Sequence, residues 1–220
     1  MRHMLKTPSH TAQRIKPTSS LRLFAALLML AAALLPALSS AKANDDSQLS
    51  DVILSHFKKL IVVFNTIEDP NQQRREVGTV IDFAAITRGV IGKHRQSMDD
   101  TQQGNFQTEF EQSITKLLAV ALQGGEDYEV AIERIRRSSN NPDRAQVLGV
   151  ISTPGQERFE LLTTTARTGD TWLLRNLTVN GINLGITYRS QFNELVIKHS
   201  GDFDAVITAW AASLADTENS

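Results

Sequence analysis

The hydrophobic period of this chain changes twice along its 220 residues, from about 3.6 to 2 and back, and few folds accommodate that order. Ser50-Asp51 can cap a helix running to about Asn65, with Val52, Leu54, Phe57, Leu60, Ile61 and Phe64 near helical spacing. Asp69-Pro70-Asn71 is a turn signal, and a second helix is expected from Gln72 to about Thr79. Asp82 can cap a third, with Phe83, Ile86, Val90 and Ile91 on one stripe and Gly92 as its stop. Asp99 and Gln102 form a D-x-x-Q capping pair ahead of Phe106, Phe110, Ile114, Leu117, Leu118, Ala121 and Leu122. That helical stripe ends at Gly124-Gly125.

Alternation then takes over. Tyr128, Val130 and Ile132 alternate with Glu129, Ala131 and Glu133; Asn140-Asn141-Pro142-Asp143 turns the chain; Gln146 to Ser152 is apolar and β-branched. Pro154-Gly155 and Gly169-Asp170 bracket a Thr-rich strand from Arg158 to Arg167, and Thr171 to Val179 is the fourth strand. Asn180-Gly181 closes the sheet, and helices return over Ile186 to His199 and Asp202 to about Leu214, with Gly201 between them. Helices on either side of one antiparallel four-stranded meander predict an α+β domain. Strict alternation puts Trp172, Leu174 and Asn176 on one face of the fourth strand and Leu173, Leu177 and Val179 on the other. Val147 and Ile151 likewise oppose Leu148 and Val150. Both faces are apolar enough to need cover, and one of them faces either a filled core or an apolar cavity; period alone does not separate the two.

The first 43 residues read as an address. Arg14, Lys16 and Arg22 precede the 13-residue apolar run Leu23 to Leu35, Pro36 breaks it, and Ala41-Lys42-Ala43 offers a cleavage site, the order of a secretory signal peptide. The run is short of the roughly 20 residues needed to cross a bilayer, so an uncleaved anchor is the lesser alternative. The expected mature chain is one domain over 44–220, soluble outside the cytoplasm after cleavage near Ala43, with loose ends at Asn44 to Gln48 and Asp216 to Ser220. Six of the 23 Lys/Arg lie in the leader, leaving 17 against 24 Asp/Glu, a net charge of −7 that argues against nucleic-acid binding.

Reactive constellations are missing. There is no cysteine, hence no disulfide, thiolate nucleophile or Cys-ligated metal. His56, His94 and His199 belong to no ligand-spaced group, and His56 and His199 are expected at the surface or at helix ends. No G-x-S-x-G, P-loop or G-x-G-x-x-G occurs. Arg134, Arg136, Arg137 and Arg144 form a basic cluster, read as a solvated strand end before a headgroup-facing rim. The sequon Asn176-Leu177-Thr178 falls inside a strand and is taken as chance.

Two blocks carry a resemblance. One is Asp82-Phe83 through Ile86, Val90, Ile91 and Gly92, with Gln102 and Phe106 ten and fourteen residues past that glycine, and Phe110 beyond. The other is Trp172 through Asn176, Asn180-Gly181, Asn183 and Leu184 to Tyr188-Arg189-Ser190-Gln191-Phe192 and Gly201. Their order and spacing resemble the MlaC, or toluene-tolerance, family of periplasmic phospholipid-binding proteins over about Val52 to Trp210. Arg95 stands in place of the family's usual Trp, and Asn176, Asn180 and Asn183 replace Asp, Glu and Ser.

The resemblance implies a curved antiparallel sheet packed with N- and C-terminal helices around an apolar lipid cavity. It implies phospholipid as the bound ligand, with no cofactor, no metal and no reaction. It further implies a monomeric carrier moving lipid between an outer-membrane lipoprotein complex and an inner-membrane ABC transporter with an MCE-domain subunit, so maintaining outer-membrane lipid asymmetry. The wall candidates are Phe83, Ile86, Val90, Phe106, Phe110, Ile114, Leu117, Val147, Ile151, Phe159, Leu161, Trp172, Leu174, Leu184, Tyr188 and Phe192, with Tyr188 and Arg189 candidates for the mouth. Two other readings stay open: an α+β enzyme, which needs Asp82, His94 or Asp99 inside an apolar pocket, and a chaperone-like module with an apolar groove for protein segments.

Overall fold

The computed structural model describes residues 45–215; the expected leader over 1–43, its cleavage site and the expected loose end at 216–220 lie outside the described residues. From Asp46 onward the described chain forms one compact unit.

Helix α1 covers residues 45–66, so Ser50 and Asp51 lie within it rather than capping it, and Asn44 to Gln48 is not wholly a loose end. Its last turn is tied to the end of a later helix by Asn65, whose Nδ2 donates to the Leu122 carbonyl at 2.9 Å and whose Oδ1 accepts from the Gly124 N–H at 2.7 Å. Helix α2 (Pro70–Gly78) starts on Asp69, with proline in the first turn, where a missing N–H costs no hydrogen bond. Helix α3 (Phe83–Ile91) is capped by Asp82, whose side chain accepts from the Ala85 N–H, and stops at Gly92, where φ is +55°. A 3₁₀ turn (Gly92–Gln96) leads to α4 (Asp100–Leu122), opened by the full Asp99–Gln102 capping box.

The sheet is an antiparallel meander in sequence order: β1 (Glu129–Arg137), β2 (Arg144–Ser152), β3 (Arg158–Thr168), β4 (Thr171–Val179) and β5 (Ile182–Asn183). It has five strands, not four. Asn180 and Gly181 both have positive φ, +47° and +84°, the requirement of a two-residue hairpin turn, and the chain makes one more short strand before leaving the sheet. Asn183 then caps α5 (Leu184–Lys198), and a turn with positive φ at Ser200 and Gly201 leads to α6 (Phe203–Ala215).

Two bulges reset the faces of the sheet. Glu133 in β1 and Arg175 in β4 have no opposite residue, because Ile132 and Arg134 pair with the adjacent Gly149 and Leu148, and Leu174 and Asn176 with the adjacent Thr165 and Thr164. Past each bulge the inward positions change parity. Leu177 and Val179 therefore join Trp172 and Leu174 on one face, in cross-strand sets such as Ile132–Gly149–Leu161–Val179 and Ile135–Val147–Thr163–Leu177. The expectation that β4 divides its large apolar residues between two faces is thereby corrected: one inner face collects them.

The helical layer has a solid aromatic centre. Phe106 lies 4.7 Å from Phe192 and 5.2 Å from Trp210, ring centre to ring centre, and Phe110 lies 5.8 Å from Trp210, joining α4, α5 and α6. The sheet is fastened to this layer by the segment between α2 and α3: the Leu174 N–H donates to the Val80 carbonyl and the Asp82 N–H to the Leu174 carbonyl, each at 2.9 Å.

Candidate functional site

Between the inner face of the sheet and the helices the side chains do not close up. A cavity of about 560 Å³ remains, inside the range of roughly 300–1,000 Å³ typical of ligand pockets. Its sheet wall is Ile151, Phe159, Leu161, Leu174, Leu177 and Val179. Its helix wall is Phe110, Ile114, Leu117, Leu118, Ala121 and Leu122 on α4, with Phe57 and Leu60 on α1, Ile81, and Ile86 on α3. Leu184, Gly185 and Tyr188, at the start of α5, close one side. Gly149, between Ile132 and Leu161 on the inner face, gives that face no side chain; an added Cβ would come within 3.0 Å of the Ala131 carbonyl oxygen.

Burial grades the cavity from a closed end to an open one. Phe57, Leu60, Ile81, Phe110, Leu161 and Leu174 are buried, whereas Ala121 and Glu157 are the lining residues that stand exposed. The opening therefore lies between the last turn of α4 and the β2–β3 hairpin, where Tyr128, Thr153 and Glu157 supply polar atoms. Tyr128 is seated by Gly125, where any Cβ would come within 2.6 Å of the tyrosine ring.

Deeper polar groups are engaged or apolar in their packing. Asn176 donates to Asn183 Oδ1 at 3.1 Å and accepts from the Gly185 N–H at 3.1 Å, so the sequon position is occupied by this hairpin-to-helix junction. The Tyr188 ring stands edge-on to Phe110 at 5.5 Å, and desolvation by burial pushes its phenol pKa above the ordinary 10.0.

Ten of the sixteen wall candidates line this cavity: Ile86, Phe110, Ile114, Leu117, Ile151, Phe159, Leu161, Leu174, Leu184 and Tyr188. Six do not. Phe106 and Phe192 fill the aromatic centre, Phe83 packs against Phe110 from the core side, and Val90 and Val147 are 1% exposed within the core. Trp172 lies toward the other end of β4, with the guanidinium carbons of Arg137 and Arg167 at 5.4 and 5.3 Å from its ring centre. Arg189 is not at the mouth either; its Nε donates to the Gly89 carbonyl at 2.7 Å.

Thirteen lining residues were not among the candidates, for three reasons. Leu118, Ala121 and Leu122 belong to the α4 stripe already visible in sequence, and only its cavity-side end was missing. Leu177 and Val179 were hidden by the bulge. Phe57, Leu60, Ile81, Tyr128, Thr153, Glu157, Asn176 and Gly185 come from segments that only the folded chain brings together.

The residues an enzyme would need stand elsewhere. Asp82 caps α3 and pairs with Arg175, Asp99 caps α4, and His94 Nε2 lies 2.8 Å from Asn193 Oδ1; none lines the cavity. His56, expected at the surface, is instead 8% exposed, with Nε2 2.6 Å from the Trp172 carbonyl oxygen. The basic cluster lies toward the end of β1 away from the mouth; none of its arginines lines the cavity, and Arg137 pairs with Asp46 at 2.6 Å. Among the described residues no group of three or more acids and histidines could hold a metal, and no helix is long and apolar enough to cross a membrane.

Comparison with known proteins adds three findings. The family model described as MlaC protein matches residues 66–212. The toluene tolerance protein ttg2D of Pseudomonas putida is 25% identical over 142 residues, 64% of this chain; the match spans 65% of that relative's length. The crystal structure of a phospholipid-binding protein from Ralstonia solanacearum, in complex with a phospholipid, superposes with a TM-score of 0.66 at 17% identity, covering 76% of this chain and 98% of that one.

Proposed function

The chain belongs to the MlaC family, and on that footing we propose that it is a periplasmic phospholipid carrier with no catalytic activity of its own. The observation that carries this reading is the unfilled apolar cavity, closed at one end and opening beside Thr153 and Glu157 at the other. Such a shape suits a ligand with hydrocarbon at one end and a polar group at the other, because acyl chains ask only for dry surface. The relative solved with a phospholipid shares the fold and supports the same assignment.

Energetics explain why a carrier is needed. Two acyl chains hold on the order of thirty methylenes, and exposing them to water at about 0.8 kcal/mol each costs roughly 24 kcal/mol. Free diffusion between membranes is therefore negligible. A protein that keeps the chains dry until its mouth meets a partner removes that barrier without any acid, base or metal. We assign the partners as an outer-membrane lipoprotein complex and an inner-membrane ABC transporter with an MCE-domain subunit, and the route to the periplasm as export with cleavage near Ala43.

Organic extraction of protein purified from the periplasmic fraction, followed by mass spectrometry, tests the reading directly. Phospholipid close to stoichiometric with protein, and an N-terminus near Asn44, are expected. Protein that emerges empty and takes up no lipid from vesicles would overturn the assignment.

A further inference from the structure

We propose that the face of the sheet turned away from the cavity is a docking site for an acidic segment of a partner protein, bound so that the mouth stays free. The arginines of the sheet fall into two sets. Arg137, Arg158, Arg167 and Arg175 have carboxylates at 2.6, 3.5, 3.9 and 2.8 Å, from Asp46, Glu133, Asp143 and Asp82. Arg134, Arg136 and Arg144 are exposed, and among the described residues none of the three side chains has an ion-pair or hydrogen-bond partner. The register puts all three on the outer face: Arg134 stands opposite Leu148, Arg136 opposite Gln146 and Arg144 opposite Ala166, while the alternate residues Ile135 and Val147 point to the core. Arg136 and Arg144 are diagonal neighbours across the β1–β2 hairpin, within about 7–8 Å backbone to backbone.

Beside them runs an apolar strip. Leu148 faces Leu162 and Ala166 faces Leu173, with Val150 two residues on from Leu148. None of these five packs against the hydrophobic core, so the strip is a separate apolar surface. Half-buried leucines edged by three unpaired guanidinium groups complement a segment that carries carboxylates and a few apolar side chains. The attraction is local. Residues 44–220 hold 17 Lys/Arg against 24 Asp/Glu, so the body as a whole repels an acidic partner while this patch draws it. The acids of the same face, Glu129 and Glu160, lie nearer the mouth, opposite Ser152 and Val150.

A bilayer fits this face less well. Among the described residues the exposed large apolar side chains stand on helices or, at Ile182, opposite the inner-face Val179, so none projects from the outer face into lipid. The arginines also lie at the end of β1 away from the mouth, and a membrane held there would keep the mouth from the lipid it exchanges.

The test titrates the full mature protein at low salt into a short fluorescein-labelled peptide of glutamate and leucine, read by anisotropy. Saturable binding that weakens as salt rises is expected. Arg134→Gln/Arg136→Gln/Arg144→Gln removes the charges and keeps most of each stem, and should weaken binding about tenfold; Arg136→Glu alone should weaken it about threefold. All three positions are exposed, so circular dichroism should show unchanged folding. Lipid recovered by extraction should be the same in every variant, since none of the substituted residues lines the cavity. No binding of the peptide, or binding that survives the triple substitution, overturns the docking site. Capture of phosphatidylglycerol vesicles in place of the peptide, lost in the triple variant, assigns the arginines to a lipid surface and overturns it equally. Lipid recovery bears on the carrier reading alone, so the two fail separately.

Discussion

Arg175 and Asp82 join the sheet to the helices: Nε and Nη2 of the arginine both lie 2.8 Å from Asp82 Oδ2, while Asp82 Oδ1 accepts from the Ala85 N–H at 3.0 Å. One carboxylate thus caps α3 and holds the bulged residue of β4. The aspartate is 12% exposed and the arginine 29%, so the pair is shielded enough to matter without carrying the full cost of a buried ion pair. Arg175→Met should destabilise the fold by about 1.5–3 kcal/mol, the range for a hydrogen bond to a charged group. Asp82→Asn, which can keep the cap, should cost less than Asp82→Ala. Urea denaturation midpoints, with the double substitution to close the cycle, check the order.

Truncations should separate core from cavity. Phe106 is fully buried in the aromatic centre, and Phe106→Ala should cost about 3–5 kcal/mol. Leu117 is half-buried and borders the cavity, so Leu117→Ala should cost only about 1–2 kcal/mol, below the roughly 2.4 kcal/mol that three fully buried carbons carry at about 0.8 kcal/mol each. Equal losses in denaturant titrations of the two variants would mean that the cavity wall is packed as tightly as the core.

The converse change tests the ligand. Leu117→Trp places an indole in the void rather than into packed neighbours, so stability in lipid-free protein should hold within about 1–3 kcal/mol, the usual cost of overpacking. Lipid recovered by extraction should fall sharply, while the circular dichroism spectrum stays that of the natural sequence.

Alkaline titration reads the cavity through Tyr188. Burial raises its pKa above 10.0, so the folded state holds the phenol proton more tightly than the unfolded state does. Stability is therefore level below about pH 10, the ordinary phenol value, and declines as pH climbs from there through the raised value. Tyrosinate absorbance should keep rising above the ordinary phenol range, with Tyr188→Phe removing that late rise and flattening the alkaline fall in stability.

Local chemistry was plain in the sequence, and assembly was not. The caps at Asp82 and Asp99 and the limits of β4 are decided by residues within three or four positions of one another, and they appear where side-chain type and spacing place them. The fifth strand was lost because Asn180-Gly181 signals a reversal without saying whether the chain pairs again. The cavity was harder. Phe106 and Ile114 share one stripe of α4 two turns apart, yet one is sealed against Phe192 and the other borders open space. That difference is set by what α5, α6 and the sheet bring opposite each residue, which a periodic pattern does not encode. The three asparagines that depart from the family pattern all find partners: Asn176 bonds Asn183 and Gly185, Asn180 accepts from the Glu160 N–H, and Asn183 accepts from the Ile186 N–H.

The unpaired residue at the β4 bulge gives the strand an unequal tolerance to deletion along its length. Deleting Arg175 removes a tether and no more, because Leu174 and Asn176 already face the adjacent Thr165 and Thr164 and the shortened strand alternates regularly with Leu177 and Val179 still inward; deleting Leu173, at a paired position, would instead turn Trp172 away from the face it shares with Leu174. Gene variants shortened by a single codon should consequently be commoner among functional copies at Arg175 than at the paired positions on either side of it.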